Sequence, residues 1–148
     1  MLIKLTPEQI ANNWDFLKKC IVDFSPLEAR KAETPSNNIL DSLLIDAMHC
    51  WVDGSIVDGK TTINAVVVTQ ILVNDQVGVR NLLMYSICGL HTGFSVNQWK
   101  EGMLALAQFA RKNKCQHIIG YTGNEHLIRL ADRLGGDTSQ RVVIFPLD

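Results

Sequence analysis

The run NLLMYSICGL at residues 81–90 is an almost unbroken apolar stretch in the middle of the chain. A strand with one face in water alternates apolar and polar side chains, whereas a nearly continuous apolar run is typical of a strand covered on both faces. A connector, HTGFS at residues 91–95, follows it, and Ser95-x-x-Gln98 is a capping box that predicts a helix from Val96 to about Asn113. We therefore predict a central, covered strand that leads directly into a helix.

The segments on either side predict the remaining elements of a mixed α/β fold. Thr6, Pro7 and Gln9 form a helix start with a capping box, and Asp53-Gly54, Asp58-Gly59 and residues 74–76 are turn signals. Further strands are predicted at Leu2–Leu5, His49–Val52, Thr61–Val73, His117–Tyr121 and Arg141–Phe145. Further helices are predicted from Pro7 past Ile21, from Asn38 to Met48 and at Glu125–Leu134, with a loop at Ser25–Asn38. The predicted order is β-α-α-β-β-β-α-β-α-β.

Size and composition exclude several classes of protein. The 148 residues predict one globular domain, 1–148, with 47% hydrophobic and 20% charged residues. A net charge of -1 gives no basic surface for nucleic acid, and no apolar run is long enough to span a bilayer. The first residues run directly into a helix signal, so no signal peptide is expected and the protein is predicted to be cytoplasmic.

The cysteines are predicted to be reduced, buried small hydrophobes rather than metal ligands. Cys20, Cys50, Cys88 and Cys115 lie among apolar neighbours, and no two have the spacing of a metal finger. Cys88, near the predicted cleft, is the one alternative candidate for a nucleophile.

The second half of the chain resembles the GNAT acyltransferase superfamily. The likeness rests on the helix at Ala105–Arg111, the strand at Cys115–Tyr121, Asn124 at a helix start and the Leu-Gly helix end at Leu130–Gly135. It covers residues 49–148, and residues 1–24 are compatible with it. The resemblance implies acyl-CoA bound between two splayed parallel strands, with its pyrophosphate on a loop of the form Arg/Gln-x-x-Gly-x-Gly/Ala.

This chain departs from the family pattern at two places. Residues 89–98 contain Gly89 and Gly93 but no Gly-x-Gly. Ala131 lies where family members often place a tyrosine general acid, and alanine cannot donate a proton. The resemblance thus implies the scaffold of an acyltransferase without two of its functional elements.

The candidate site residues follow from the resemblance and from residue chemistry. If CoA binds, the implied contacts are Tyr85, Leu90, His91, Gly93 and Asn124, although Asn124 is also a common N-cap. His49, Asp53, His91 and Tyr85 are candidates for a general base, yet no pair has a spacing that enforces catalysis, and no catalytic residue is predicted. No metal-binding motif is present, and the cluster Arg111-Lys112-Lys114 is predicted to stabilise a helix end.

Three functions are compatible with the sequence. The first is a non-catalytic GNAT-like binding or assembly protein without cofactor, because Gly120–Arg129 resembles a stretch of tailed-bacteriophage virion proteins. Its partners would be virion proteins or further copies of the chain, in the host cytoplasm or the virion. The alternative is an acetyl-CoA-dependent N-acetyltransferase with an atypical pyrophosphate loop. A third possibility is an antagonist of a host protein that docks through Ser25–Asn38.

Overall fold

The computed structural model describes residues 1–25, 35–89, 95–122 and 124–147. Within these ranges the helices are α1 Pro7–Asn12, α2 Trp14–Asp23, α3 Pro35–Leu44, α4 Val96–Lys112 and α5 Glu125–Arg133. The strands are β1 Leu2–Lys4, β2 His49–Val57, β3 Lys60–Asn74, β4 Val79–Gly89 and β5 His117–Gly120. The mixed α/β class predicted from the sequence is confirmed.

The strands form one sheet in the order β1-β2-β3-β4-β5. The pairs from β1 to β4 are antiparallel, whereas β4 and β5 are parallel and are joined by the crossover helix α4. A two-residue turn joins β2 to β3, with φ of +51° at Asp58 and +75° at Gly59. Positive φ at both positions is the conformation that the Asp-Gly signal predicts.

Helices cover both faces of the sheet, as the apolar run of β4 predicts. One face packs against α1, α2 and α3 through a cluster that includes the fully buried Ile10, Leu17, Ile21 and Leu43. The other face packs against α4 through Trp51, Val67, Leu82, Leu106 and Ala110. Burial of one such aliphatic side chain contributes about 1.5–3 kcal/mol, so the two layers hold the sheet from both sides.

Both predicted capping boxes are present. The Thr6 hydroxyl accepts from the Gln9 amide at 3.2 Å, and the Gln9 side chain accepts from the Thr6 amide at 2.9 Å. Ser95 and Gln98 repeat the arrangement at the start of α4, with distances of 3.1 and 2.7 Å. These reciprocal bonds satisfy amides that have no partner within the helix.

Several predicted boundaries are wrong. The first helix is divided at Asn13, and the second occupies Pro35–Leu44 rather than Asn38–Met48, so the predicted loop ends before Pro35. Residues 26–34 of that loop lie outside the described residues. Asp53-Gly54 is a register irregularity inside β2, not a turn, because neighbouring strands on both sides keep the backbone extended there.

The predicted last strand, Arg141–Phe145, is also wrong. The chain turns after α5, where Gly135 has a φ of +87° and the Gly136 amide donates to the carbonyl of Ala131 at 2.9 Å. Beyond this turn, the described residues to Leu147 form no strand. The β-branched composition of residues 141–145 favours a strand, but a strand requires a neighbour with which to pair.

A disulfide bond joins Cys20 in α2 to Cys88 in β4, which corrects the prediction of reduced cysteines. The two residues are 68 positions apart in sequence, and their Cα atoms are 6.0 Å apart. Sequence spacing could not reveal the pair because the fold alone brings α2 over the end of β4. Cys50 and Cys115 are free, and Cys50 is buried as predicted.

We expect reduction of this disulfide to lower the free energy of unfolding by about 4 kcal/mol, since the bond closes a long loop in the unfolded chain. Urea unfolding with and without a reductant measures the change. The matched control is the double variant Cys20→Ser with Cys88→Ser, whose stability should not respond to the reductant. An equal response from both proteins would contradict the prediction.

Candidate functional site

Strand β4 contains a β-bulge at Tyr85. Ser86 pairs with Val68 and Met84 pairs with Thr69, so Tyr85 has no residue opposite it in β3. As a result, Tyr85 and Ser86 both face the α2 layer: Tyr85 packs against the cluster around Leu17 and Ile21, and the Ser86 hydroxyl donates to the Ile21 carbonyl at 3.2 Å. A bulge bends the strand that carries it and increases the local twist.

The pairing between β4 and β5 ends at the same place. The register runs from Asn81 opposite His117 to Met84 opposite Gly120 and goes no further. Strand β4 continues for five more residues, to Gly89, and none of Ser86–Gly89 pairs with β5 among the described residues. We call this opening, between Tyr85–Gly89 and the chain that leaves β5 at Tyr121, the wedge.

Gly120, in the last pair before the wedge, has little free space beside its Cα atom. A Cβ atom on Gly120 would lie 3.3 Å from Cε of Met84, which is closer than an ordinary van der Waals contact. A larger residue at this position would displace the end of the Met84 side chain.

Helix starts lie at the ends of both wedge strands. At α4, the Ser95 side chain accepts from the Gln98 amide, and the Gln98 side chain accepts from the Ser95 amide. The first-turn amides that remain without an intrahelical acceptor are those of Val96 and Asn97. At α5, the Asn124 side-chain oxygen accepts from the amides of His126 and Leu127 at 2.9 and 3.4 Å. Asn124 is thus an N-cap, as the structural interpretation of the sequence favoured.

A second depression lies under the first turns of α4 and is too small for an extended ligand. Its volume is about 30 Å³, and its lining includes Asp53, Met84, Ile87, Gln98 and Trp99. A single water needs on the order of 10–15 Å³, so this cleft has room for two or three waters.

His49 and Asp53 do not face the wedge. His49 is buried against Phe109, with ring centroids 4.9 Å apart, and it pairs with Thr69 on β3, two strand spacings from β4. Burial lowers the pKa of His49, although the nearby Asp46 carboxylate acts in the opposite direction. The Asp53 carboxylate accepts hydrogen bonds from the Met1 ammonium at 2.7 Å and from the Asn64 side-chain amide at 3.4 Å.

The cysteines near the wedge do not provide a nucleophile. Cys88 is bonded to Cys20. Burial raises the pKa of the Cys50 thiol to about 12, so this thiol stays protonated at neutral pH. No group of three or more His, Cys, Asp or Glu side chains converges to hold a metal ion in the described parts of the chain.

The structure describes two of the five residues predicted to contact CoA. Tyr85 and Asn124 lie on opposite sides of the wedge, on the β4 side and at the start of α5. Leu90, His91 and Gly93, together with the rest of the connector before Ser95, lie outside the described residues. For all of them, a role in binding CoA stays a prediction.

Sequence reasoning missed Tyr121. This residue follows Gly120, the last residue that pairs with β4, and its side chain is half exposed. A tyrosine directly after a short strand was the available signal, but only the parallel pairing reveals that this strand end opens the wedge.

Comparisons with known proteins identify the fold. No family model matches the chain and no curated protein is similar to it in sequence. Among solved structures, a probable acetyltransferase superimposes with a TM-score of 0.68 at 12% identity, covering 100% of this chain and 99% of that chain. The ribosomal-protein-alanine N-acetyltransferase of Brucella melitensis gives 0.65 at 15% identity, with 99% of each chain covered. AAC(6')-Iy bound to a CoA bisubstrate analogue gives 0.69 at 13% identity, with 100% and 97% covered.

The chain therefore has the GNAT acetyltransferase fold. The similar structures overturn the interpretation of the chain as a non-catalytic assembly protein of a virion, because they are acetyltransferases and include complexes with CoA. None of these similar structures indicates a bacteriophage association. In the described residues, no helix is long and apolar enough to cross a membrane.

Proposed function

We propose that this protein is an acetyl-CoA-dependent N-acetyltransferase. The observation that carries the proposal is the wedge, where the bulge at Tyr85 coincides with the end of β4–β5 pairing at Met84 and Gly120. Solved proteins of the same fold include an aminoglycoside N-acetyltransferase in complex with CoA, which supports a CoA ligand here.

The unpaired edge of β4 fits an extended ligand that carries amide groups. Over Ser86–Gly89, β4 has backbone N–H and C=O groups on the side where β5 no longer pairs with it. An edge of this kind binds extended chains by adding to the sheet, and the amides of a pantetheine arm offer matching donors and acceptors. This edge of β4 therefore fits the pantetheine arm of acetyl-CoA.

The phosphates are assigned to the start of α4. The amides of Val96 and Asn97 have no acceptor within the helix, and the positive end of a 17-residue helix favours an anion there. We expect this to be the anion-binding end of the site, with Gln98 excluded because its amide already donates to Ser95.

The proposed reaction requires one net proton transfer. A neutral amine nitrogen attacks the thioester carbonyl, the C–N bond forms, the C–S bond breaks, and the proton lost by nitrogen is balanced by one gained at sulfur. Ala131 cannot supply that proton, whereas Tyr121 directly follows Gly120, the last residue of β5 that pairs with β4. We propose Tyr121 as the general acid, reprotonated from solvent through its half-exposed side.

We expect acetyl-CoA to bind and to stabilise the protein, by about 2.7 kcal/mol at a concentration one hundred times its Kd. Isothermal titration and thermal unfolding with acetyl-CoA measure this. Absence of any binding up to millimolar acetyl-CoA would refute the proposed function.

The site of binding is tested by Gly120→Val. The new side chain meets the flexible end of Met84, so the fold should adjust, while the opening beside it narrows. We expect affinity for acetyl-CoA to fall by about tenfold or more, equivalent to about 1.4 kcal/mol. His117→Val, at the exposed opposite end of β5, is the matched control and should bind as the parent does.

Substitution of Tyr121 by Phe should lower kcat by about a hundredfold with little change in KM for acetyl-CoA, since general acids contribute roughly 10²–10⁴ in rate. Release of free CoA thiol is followed with a peptide that begins with alanine and with an aminoglycoside, the acceptors that the names of similar enzymes suggest. His117→Gln is the control on the same strand. An unchanged kcat in Tyr121→Phe would exclude this role.

A further inference from the structure

The disulfide between Cys20 and Cys88 lies at the edge of the wedge. Cys88 belongs to Ser86–Gly89, the stretch of β4 that pairs with β3 on one side and, among the described residues, with no strand on the other. The bond joins this stretch to Cys20 in α2. It is therefore a covalent restraint on the backbone to which the pantetheine arm of acetyl-CoA is assigned.

The bond acts together with a hydrogen bond across the same interface. The Ser86 hydroxyl donates to the Ile21 carbonyl of α2 at 3.2 Å, and Cys88 lies in the apolar cluster that α2 forms with the sheet. Between these two residues, Ile87 packs against the cluster on the α4 face instead. Because β3 pairs with only one edge of this stretch, its position relative to α2 depends on the hydrogen bond and on the disulfide.

The packing around the bond leaves little room for two separate thiols. Cys20 is 8% exposed and Cys88 is 3% exposed. Two thiols need more space than one disulfide, because the sulfur atoms are no longer bonded and each gains a hydrogen. A close-packed interior accommodates such a change only by moving its parts. We therefore expect α2 and the end of β4 to shift apart when the bond is reduced.

We propose that Cys20 and Cys88 form a redox site that controls the affinity for acetyl-CoA. The inference rests on the proposed function, since it concerns the same wedge. In the oxidised protein the disulfide holds the edge of β4 where the ligand binds, and reduction releases that edge. Coupling between two equilibria is reciprocal, so bound ligand favours the disulfide by the same factor by which reduction weakens binding.

The reaction partner of this site is a small thiol such as glutathione. Its thiolate attacks one sulfur of the disulfide, a mixed disulfide forms, and the other cysteine leaves as a thiolate. A second thiol attacks the mixed disulfide, which yields glutathione disulfide and frees the remaining cysteine. Two electrons pass to the protein, each cysteine takes up one proton, and one S–S bond replaces another. Burial of the sulfur atoms slows this exchange without changing its equilibrium.

Isothermal titration of acetyl-CoA into the oxidised and the reduced protein tests the coupling. The reductant is a phosphine, which contains no thiol to exchange with the thioester. We expect Kd to be about tenfold higher for the reduced protein. The matched control is the double variant Cys20→Ser with Cys88→Ser, which keeps the free Cys50 and Cys115, so its Kd should not respond to the phosphine. Circular dichroism checks that each sample is folded.

Glutathione redox buffers measure the reciprocal effect. The probe is desulfo-CoA, which has a hydrogen in place of the thiol and cannot take part in the exchange. At saturation we expect it to raise the ratio of oxidised to reduced protein by the factor found in the titrations, about tenfold. Alkylation of free thiols followed by mass spectrometry gives this ratio.

Four results would each overturn this inference while the proposed function stands. They are equal Kd values in the two redox states, tighter binding by the reduced protein, an unfolded reduced protein, and a redox equilibrium that desulfo-CoA does not shift. A bond that only stabilised the fold would give equal Kd values. Absence of acetyl-CoA binding in both redox states would overturn the proposed function as well, so the two failures are distinguishable.

Discussion

The bulge at Tyr85 is the constraint on which the arrangement of the site depends. One extra residue in β4 places Tyr85 and Ser86 on the same face, where they pack and hydrogen-bond against α2. Beyond the bulge, β4 stays paired with β3 through Gly89 but no longer with β5. The sheet therefore remains continuous on one side of β4 and opens on the other. Over Ser86–Gly89, this asymmetry leaves one backbone edge of β4 without a neighbouring strand among the described residues.

Packing on both sides holds that opening in place. The α2 layer buries Ile21 and Leu17 against one face of the sheet, and α4 buries Leu106 and Ala110 against the other. The bond between Cys20 and Cys88 ties α2 to the part of β4 that borders the wedge. Because the covalent link and the two apolar layers act on the same stretch, the wedge is a fixed feature of the fold.

The elements with strong local signals could be predicted from the sequence. The capping boxes, the Asp58-Gly59 turn and the covered central strand depend on neighbouring residues, and the structure has all of them. The division of the first helix at Asn13 has local contacts only, since the Asn13 side chain donates to the Gln9 carbonyl. The disulfide and the unpaired residues 141–145 could not be predicted, because each depends on contacts between distant segments. The same is true of Tyr121, whose position at the wedge follows from the pairing of β4 with β5. The absence of a Gly-x-Gly motif and the presence of Ala131 favour a loss of activity, but neither feature predicts whether β4 and β5 separate.

Backbone amide hydrogen exchange of β4, with and without acetyl-CoA, tests the central claim most directly. The account predicts that acetyl-CoA slows exchange at amides within Tyr85–Gly89, while amides of Asn81–Met84, which β3 and β5 already flank, change little. Unchanged exchange throughout Tyr85–Gly89 under saturating acetyl-CoA, or protection confined to the opposite end of the sheet near Arg80 and Lys114, would contradict it.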